Sequence, residues 1–578
     1  MKLLKTYLWQ DYKKESILAP LFKLLEAFFD LLVPLVVAQI IDVGVKHRDL
    51  AYVGRETGVL LVLAVLGLAA SIVAQYFAAK ASVGCATQVR QASFDHIENM
   101  SYAQLDQLGS STLITRLTSD VNQVQTGLNL ALRLLLRSPF VVFGSMIMAF
   151  TINFRCALVF VVAIPILMAV VFGIMLASIP LFRKVQFRLD AVTQATTENL
   201  TGVRVIRAFR KEDSEVRDFD EKNDALTKLN IFVGRLSAAL NPLTYALINI
   251  ATIVLIQQGA LQVNIGALQQ GQVVALYNYM AQMIIELIKL ASLIITINRS
   301  VACGQRLEHL LALPAGLDYE NSEPVKTDET GTAEMANVEF AYAGGGAPAL
   351  TGVSFKASPG QTIGIIGGTG AGKSTLVNLL PRFYDATKGE VLVDGVDVKD
   401  YPAGQLIQKF GVVPQKAQLF AGSVRENLRW GNEDASDEDL WQALRQAQVA
   451  DVVEKKDGQL DFAIEQNGEN LSGGQKQRLT IARALVKKPE FLILDDSASA
   501  LDFATDAALR QALAKLKKTT FIVSQRAASI MRSDQIIVLD DGAVAGIGTH
   551  ADLMQTCPVY QEIFYSQFPE KRPAKEAD

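Results

Sequence analysis

The sequence predicts a two-part fold: an α-helical domain of six membrane spans, then an α/β domain built on a phosphate-binding loop. Three observations carry this prediction. Six apolar runs long enough to cross a bilayer fall before residue 300. Residues 367–374 read Gly-Gly-Thr-Gly-Ala-Gly-Lys-Ser, which fits the pattern G-x-x-x-x-G-K-[ST]. Charge is unevenly placed, with long apolar runs in the first third and a charged last half.

At 578 residues the chain is too long for one domain. Half of its residues are hydrophobic, and its mean hydropathy of +0.24 is high for a soluble protein. A formal net charge of −4 argues against nucleic-acid binding. The four cysteines, Cys85, Cys156, Cys303 and Cys557, are scattered without a CxxC pair and read as ordinary thiols. The four histidines are equally dispersed, and His550 reads as a helix-start residue.

The expected spans are 17–41, 58–79, 134–152, 157–182, 238–261 and 272–297. Residues 1–15 lack an apolar core and a small-residue cleavage site, so they are not a cleavable signal peptide; with four lysines they read as an interfacial helix. The stretch leading from span two into span three carries Arg90, Arg116, Arg133 and Arg137. That between spans four and five carries Arg183, Lys184, Arg188, Arg204, Arg207, Arg210 and Lys211. The three–four turn has Arg155 alone, and the five–six turn has no such cation. By the positive-inside rule both termini are expected in the cytoplasm. Within the spans, Lys23, Glu26 and Asp30 share one helix face, as do Glu286 and Lys289. Charges at membrane depth either line a cargo path or pair with one another, and both readings stand at this point.

Residues 313–331 read as a linker, 332–568 as the nucleotide-binding domain and 569–578 as a disordered tail, leaving 1–312 to the membrane domain. A buried-strand pattern, 362–366, precedes the phosphate loop and a helical run follows it. Glycines turn backbone N–H groups toward phosphate oxygens, and the new helix presents its positive end to them. Lys373 is expected on the β- and γ-phosphates and Ser374 on Mg²⁺. The run 491–494 ends in Asp495, placed to hold Mg²⁺ at the C-terminal end of a central strand.

Leu471-Ser472-Gly473-Gly474-Gln475, following the phosphate loop, resembles the signature of the ATP-binding cassette (ABC) family, and the likeness covers most of 332–565. The resemblance implies ATP with Mg²⁺ as cofactors. It places Tyr342 on the adenine and Gly367, Gly368, Thr369, Gly370, Ala371, Gly372, Lys373, Ser374 and Thr375 around the phosphates. Gln415, Ser374 and Asp495 fall at the metal, and Ser499-Ala500-Leu501-Asp502 looks like the loop that crosses the dimer interface. Six spans fused to one cassette look like an exporter half-transporter, two of which make one pore. In the family two cassettes sandwich two ATPs, each between one chain's P-loop and the other's signature. Two stretches, 109–118 and 201–209, resemble in position the coupling helices that exporters press into cassettes, and 465–468 resembles the cassette loop that meets a partner's coupling helix.

Two positions depart from the pattern. The family places Glu after Asp495, and here stands Asp496; where it has a switch histidine, this chain has Gln525. Aspartate falls short of glutamate by one C–C bond, roughly 1.5 Å. Glutamine donates a hydrogen bond but carries no proton or charge as histidine does. The expectation is a catalytic pair, Asp496 and Gln525, that binds ATP and hydrolyses it slowly. Ser472, Gly473, Gly474 and Gln475 would then complete a competent site on a non-identical partner, as in bacterial heterodimeric multidrug or lipid exporters. A slow homodimer and a cargo-sensing signalling protein remain alternatives. Import is disfavoured, because the family's importers usually keep the two parts on separate chains. The cargo expected from the resemblance is an amphipathic drug, lipid or peptide, and the location a bacterial plasma membrane.

Overall fold

A computed structural model describes residues 2–314, 316–317, 323–497 and 500–572. The chain forms two compact units: residues 1–98 with 111–313, and residues 99–110 with 314–578.

Among the described residues, the regular structure of the first unit is all helix. A short helix α1 (Lys2–Tyr7) precedes α2 (Lys13–Gln39), which runs on through a π-helical turn, Ile40–Val45. Next comes α3 (Leu50–Glu98). After α4 (Tyr102–Leu108), which belongs to the second unit, the third span is assembled from α5 (Ser110–Thr115), a π-helical turn, α6 (Val121–Leu134) and α7 (Arg137–Ile152). The helices α8 (Phe154–Ala208), α9 (Glu212–Ala238), α10 (Leu240–Asn264) and α11 (Gln270–Ala312) complete it. Six helical stretches among the described residues are long and apolar enough to cross a membrane. They far outrun the expected spans. At 1.5 Å per residue the 55 residues of α8 reach about 82 Å, against a hydrocarbon core of about 30 Å. Apolar runs locate the lipid-facing part of such a helix, while its polar extensions are helical too.

The core of this unit joins Leu31, Phe160, Leu167, Leu255, Tyr279 and Met283 from α2, α8, α10 and α11. The Tyr279 hydroxyl donates to the Leu31 carbonyl at 2.6 Å, which satisfies the one polar atom this ring carries into the core. At the end of the first span, the buried carboxylate of Asp42 accepts from the Gly271 and Gln272 N–H groups at 2.6 and 3.1 Å, so it caps the start of α11. Gly271 permits the approach: a Cβ there would sit 2.4 Å from the Ala38 carbonyl oxygen.

The intramembrane charges pair with one another. Arg137, at the start of the third span as expected, is the hub. It donates to Glu286 at 2.5 Å and to Asp30 at 2.9 Å, and lies 3.9 Å from Glu26. Lys23 binds Glu26 at 2.5 Å, Lys289 binds Glu286 at 2.9 Å, and the Ser138 hydroxyl donates to Glu286 at 2.9 Å. Three cations thus offset three anions across α2, α7 and α11, so no net charge is buried.

The second unit holds a four-stranded antiparallel sheet in the order β2-β1-β4-β5 and a six-stranded sheet in the order β12-β11-β3-β10-β9-β6. Its strands are β1 (Ala333–Phe340), β2 (Leu350–Ala357), β3 (Thr362–Gly367), β4 (Lys388–Val393), β5 (Val396–Asp397), β6 (Phe410–Val413), β7 (Gly422–Ser423), β8 (Ala463–Ile464), β9 (Phe491–Asp495), β10 (Thr519–Val523), β11 (Gln535–Asp540) and β12 (Ala543–Gly548). In the larger sheet β6, β9, β10, β3 and β11 are parallel, and β12 closes the edge antiparallel. The fully buried β9 is a continuous apolar run, as a central parallel strand requires.

The two stretches expected as cytoplasmic helices are helical, but each runs on into longer helical structure. The short separate helix is α4, not 109–118: Ser101 and Gln104 form a capping box at its start and Gly109, at φ 72°, ends it. Residues 201–208 are the last turns of α8. Toward the C-terminus, Pro569–Lys571 form a 3₁₀ turn, so the expected tail does not begin at 569; residues 573–578 lie outside the described residues.

Removing the hub leaves three carboxylates without their shared cation. Arg137→Met is expected to cost about 3 kcal/mol or more, read as a lowered unfolding midpoint of the detergent-solubilised protein. Adding Glu286→Gln to that variant should restore part of the loss.

Candidate functional site

The phosphate loop is shaped by backbone that side chains would obstruct. Gly370 and Gly372 adopt φ of +87° and +88°, in the left-handed region that glycine occupies without strain. A Cβ on Gly367 would lie 2.2 Å from the Leu539 carbonyl oxygen. The loop opens α12 (Lys373–Leu379), whose first turn contains Lys373, Ser374 and Thr375. The Lys373 ammonium donates to the Gly367 and Gly368 carbonyls at 3.1 and 2.7 Å. Burial lowers its pKa, and Asp496 and Asp495 oppose that shift.

One pocket gathers most of the expected site: Tyr342, Thr369, Gly370, Gly372, Lys373, Ser374, Thr375, Gln415, Asp495, Asp496 and Gln525. Gly367, Gly368 and Ala371 complete the loop behind it; Ala349 and Val523, which carry no motif, also line it. The Ser374 hydroxyl donates to Asp495 at 3.0 Å. Burial raises the Asp495 pKa, Ser374 opposes the shift, and the Asp496 charge adds to it. Serine and carboxylate oxygens at that separation, with the Gln415 amide beside them, suit a hard divalent cation such as Mg²⁺. Such an ion would supply positive charge to the phosphates of a bound nucleotide. Ser374 and Asp495 would hold it while Lys373 and the α12 N-terminus hold the phosphates.

Asp496 follows the end of β9 with φ at 43°, a left-handed conformation uncommon for a non-glycine residue. Burial raises its pKa, and a hydrogen bond from the Gln415 side chain opposes that shift. This contact, not foreseen in the sequence, ties the two residues of interest for water and metal together. Gln525 is exposed, and its backbone carbonyl accepts from Gln567 at 2.8 Å.

Tyr342 stands half-exposed at the pocket edge, with its hydroxyl 2.9 Å from the Thr375 hydroxyl. Its ring meets Phe340 edge-on at 4.8 Å and Tyr384 at 5.5 Å. Tyr384 in turn packs on Tyr102 of α4 at 6.1 Å and donates to Asp106 at 2.6 Å, while Phe383 lies 4.6 Å from Tyr102. An aromatic cluster thus joins Tyr342 to α4 within this unit.

The signature residues are elsewhere. Ser472 caps the helix Gly473–Val486 in a capping box with Gln475, and none of Ser472, Gly473, Gly474 and Gln475 lines the pocket. Ser472 and Gly473 are exposed, so this helix presents its N-terminal N–H groups outward. Ala500 and Leu501 lie against Gly474; Ser499, expected in the same loop, lies outside the described residues.

Comparison with known proteins agrees with this arrangement. Residues 16–287 match the family described as ABC transporter transmembrane region, and residues 350–499 that described as ABC transporter. The chain is 36% identical over 551 residues to an uncharacterized ABC transporter ATP-binding protein, YfiB, of Bacillus subtilis, covering 95% of this chain and 96% of the relative. It is 30% identical over 510 residues, 86% of each chain, to the ATP-dependent lipid A-core flippase of Vibrio vulnificus. A bacterial Atm1-family ABC exporter with ATP bound superposes with a TM-score of 0.78 at 22% identity, over 98% of this chain and 100% of that one, which establishes the fold.

Lys373→Met is expected to weaken nucleotide binding at this pocket about tenfold or more, the loss of a charge-assisted contact. Tyr342→Ala should weaken it about tenfold through lost stacking. Both are read by titration with a fluorescent ATP analogue. Because the Asp495 pKa is raised, Mg²⁺-dependent binding should decline on acidification while the pH is still above the ordinary aspartate range, and Asp495→Asn should remove the Mg²⁺ dependence altogether.

Proposed function

The chain belongs to the ABC transporter family, and from that premise we propose that it is one half of an ATP-driven exporter. Its own P-loop site is degenerate, and its signature segment completes the site of a non-identical partner. The observation that carries the proposal is the pocket itself, with Asp496 and Gln525 at the two positions where hydrolytic chemistry resides. Asp496 reaches about 1.5 Å less far than glutamate, and a misplacement of about 1 Å costs on the order of 100-fold in rate. Gln525 donates to a γ-phosphate without supplying positive charge. The signature helix, by contrast, keeps its cap and an outward-facing end, which is what an opposing nucleotide needs.

On this reading the two cassettes close on nucleotide, and closure passes to the membrane helices through segments such as α4, which the cluster around Tyr384 ties to the adenine edge. The loop containing 465–468 is assigned to the partner's coupling segment. Hydrolysis at the competent site reopens the pair, while nucleotide retained at the degenerate site keeps the cassettes partly engaged. Differential affinity for the closed state drives the cycle. The arginine and lysine distribution supports cytoplasmic termini, and the bacterial origin of the relatives supports a bacterial plasma membrane as the location. The cargo is an amphipathic drug, lipid or peptide; the flippase named among the relatives favours this class.

The purified chain alone is expected to hydrolyse ATP on the order of 100-fold more slowly than the complex with its partner. In that complex, Asp496→Glu with Gln525→His should add a second hydrolytic site and raise turnover. Brisk turnover by the chain alone would instead favour a homodimer. Failure of inside-out vesicles to accumulate any amphipathic cargo would favour a signalling role.

A further inference from the structure

A groove of about 620 Å³ runs between α8 and α10. Its walls include Leu158, Val162 and Ile166 on one helix and Ile250 and Val254 on the other, all substantially exposed. Polar side chains occur at one end only, Arg155 and Gln258. They meet there because successive spans are antiparallel: Arg155 begins α8 and Gln258 lies near the end of α10. Arg155 follows the third crossing, on the side opposite to the one where the chain leaves its sixth. It is exposed and makes no hydrogen bond or ion pair among the described residues.

The dimensions fit one leaflet. From Arg155 to Leu167 is about 18 Å of helix and from Leu247 to Gln258 about 16 Å, at 1.5 Å per residue. Half of a hydrocarbon core is about 15 Å. A helix of that length, about 10 Å across, would need about 1,400 Å³, more than twice what the groove offers. A polymethylene chain about 4.5 Å wide and 18 Å long fills about 300 Å³, taking carbon contact distances for its width. The volume of the groove suits one or both chains of a diacyl lipid. Arg155 stands at headgroup level, with a guanidinium suited to phosphate and Gln258 as a further donor.

We propose that this groove binds a membrane lipid with an anionic headgroup, its acyl chains between α8 and α10 and its phosphate on Arg155. This goes beyond the transport reading, since the lipid is a resident ligand, and holds whatever the cargo or partner.

The test uses the full-length protein, with its partner where it has one, in vesicles carrying brominated acyl chains on either phosphatidylglycerol or phosphatidylcholine. A Val162→Trp variant reports the groove by fluorescence quenching, corrected for the three native tryptophans. Val254→Trp on the opposite wall serves as a second reporter if the first fails to insert. Quenching should favour phosphatidylglycerol by about fivefold in apparent affinity, the order expected from one arginine near an anionic headgroup, and adding Arg155→Gln should abolish the preference. Equal quenching by both lipids overturns the proposal, because the groove then takes bulk lipid. Quenching by neither also overturns it, because protein then fills the groove.

Discussion

On the proposed reading, the reach of one side chain decides what this nucleotide pocket does. The carboxylate after β9 ends a methylene earlier than the family pattern provides, and it is held by Gln415 at the rim of the phosphate loop. Everything else that nucleotide binding requires is present around it: the glycine turn, Lys373, the Ser374–Asp495 pair and an aromatic edge. Binding and hydrolysis are separable because they call on different atoms. On the proposed reading, backbone N–H groups and Lys373 would hold the phosphates, whereas water would have to be aligned by a carboxylate at the correct depth. A pocket that keeps the first set and lacks the second acts as a clamp, and a clamp opposite a competent site gives an asymmetric machine.

The membrane half obeys a different constraint. In hydrocarbon, polar groups need partners within the protein. The network around Arg137 meets this by drawing its charges from three helices into one neutral cluster. The Asp42 carboxylate meets the same need at the start of α11, where helix N–H groups have no internal acceptors. Both sets of contacts join the first span to the sixth, and the Arg137 cluster adds the third.

Local features were legible in the sequence. The phosphate loop, the carboxylate ending β9 and the signature are contiguous, and their chemistry depends on residues a few positions apart. The six spans were legible as apolar runs, although their cytoplasmic extensions were not, since a polar helix carries no hydropathy signal. What escaped was long-range pairing. Nothing near Arg137 in sequence reveals the carboxylates 107 and 149 residues away that it pairs with. The Gln415–Asp496 contact was hidden for the same reason. The position of α4 is recoverable from sequence: Ser101, Gln104 and Gly109 spell a capped start and a glycine stop.

The most direct measurement is the identity of the nucleotide kept at each site. The complete transporter would be turned over with Mg²⁺ and radiolabelled ATP, separated rapidly from free nucleotide, and its bound label resolved into ATP and ADP. A clamp opposite a competent site predicts about one unhydrolysed ATP per pair of cassettes, lost when Lys373→Met disables this P-loop. Complete conversion to ADP at both sites, at equal rates, would contradict the account.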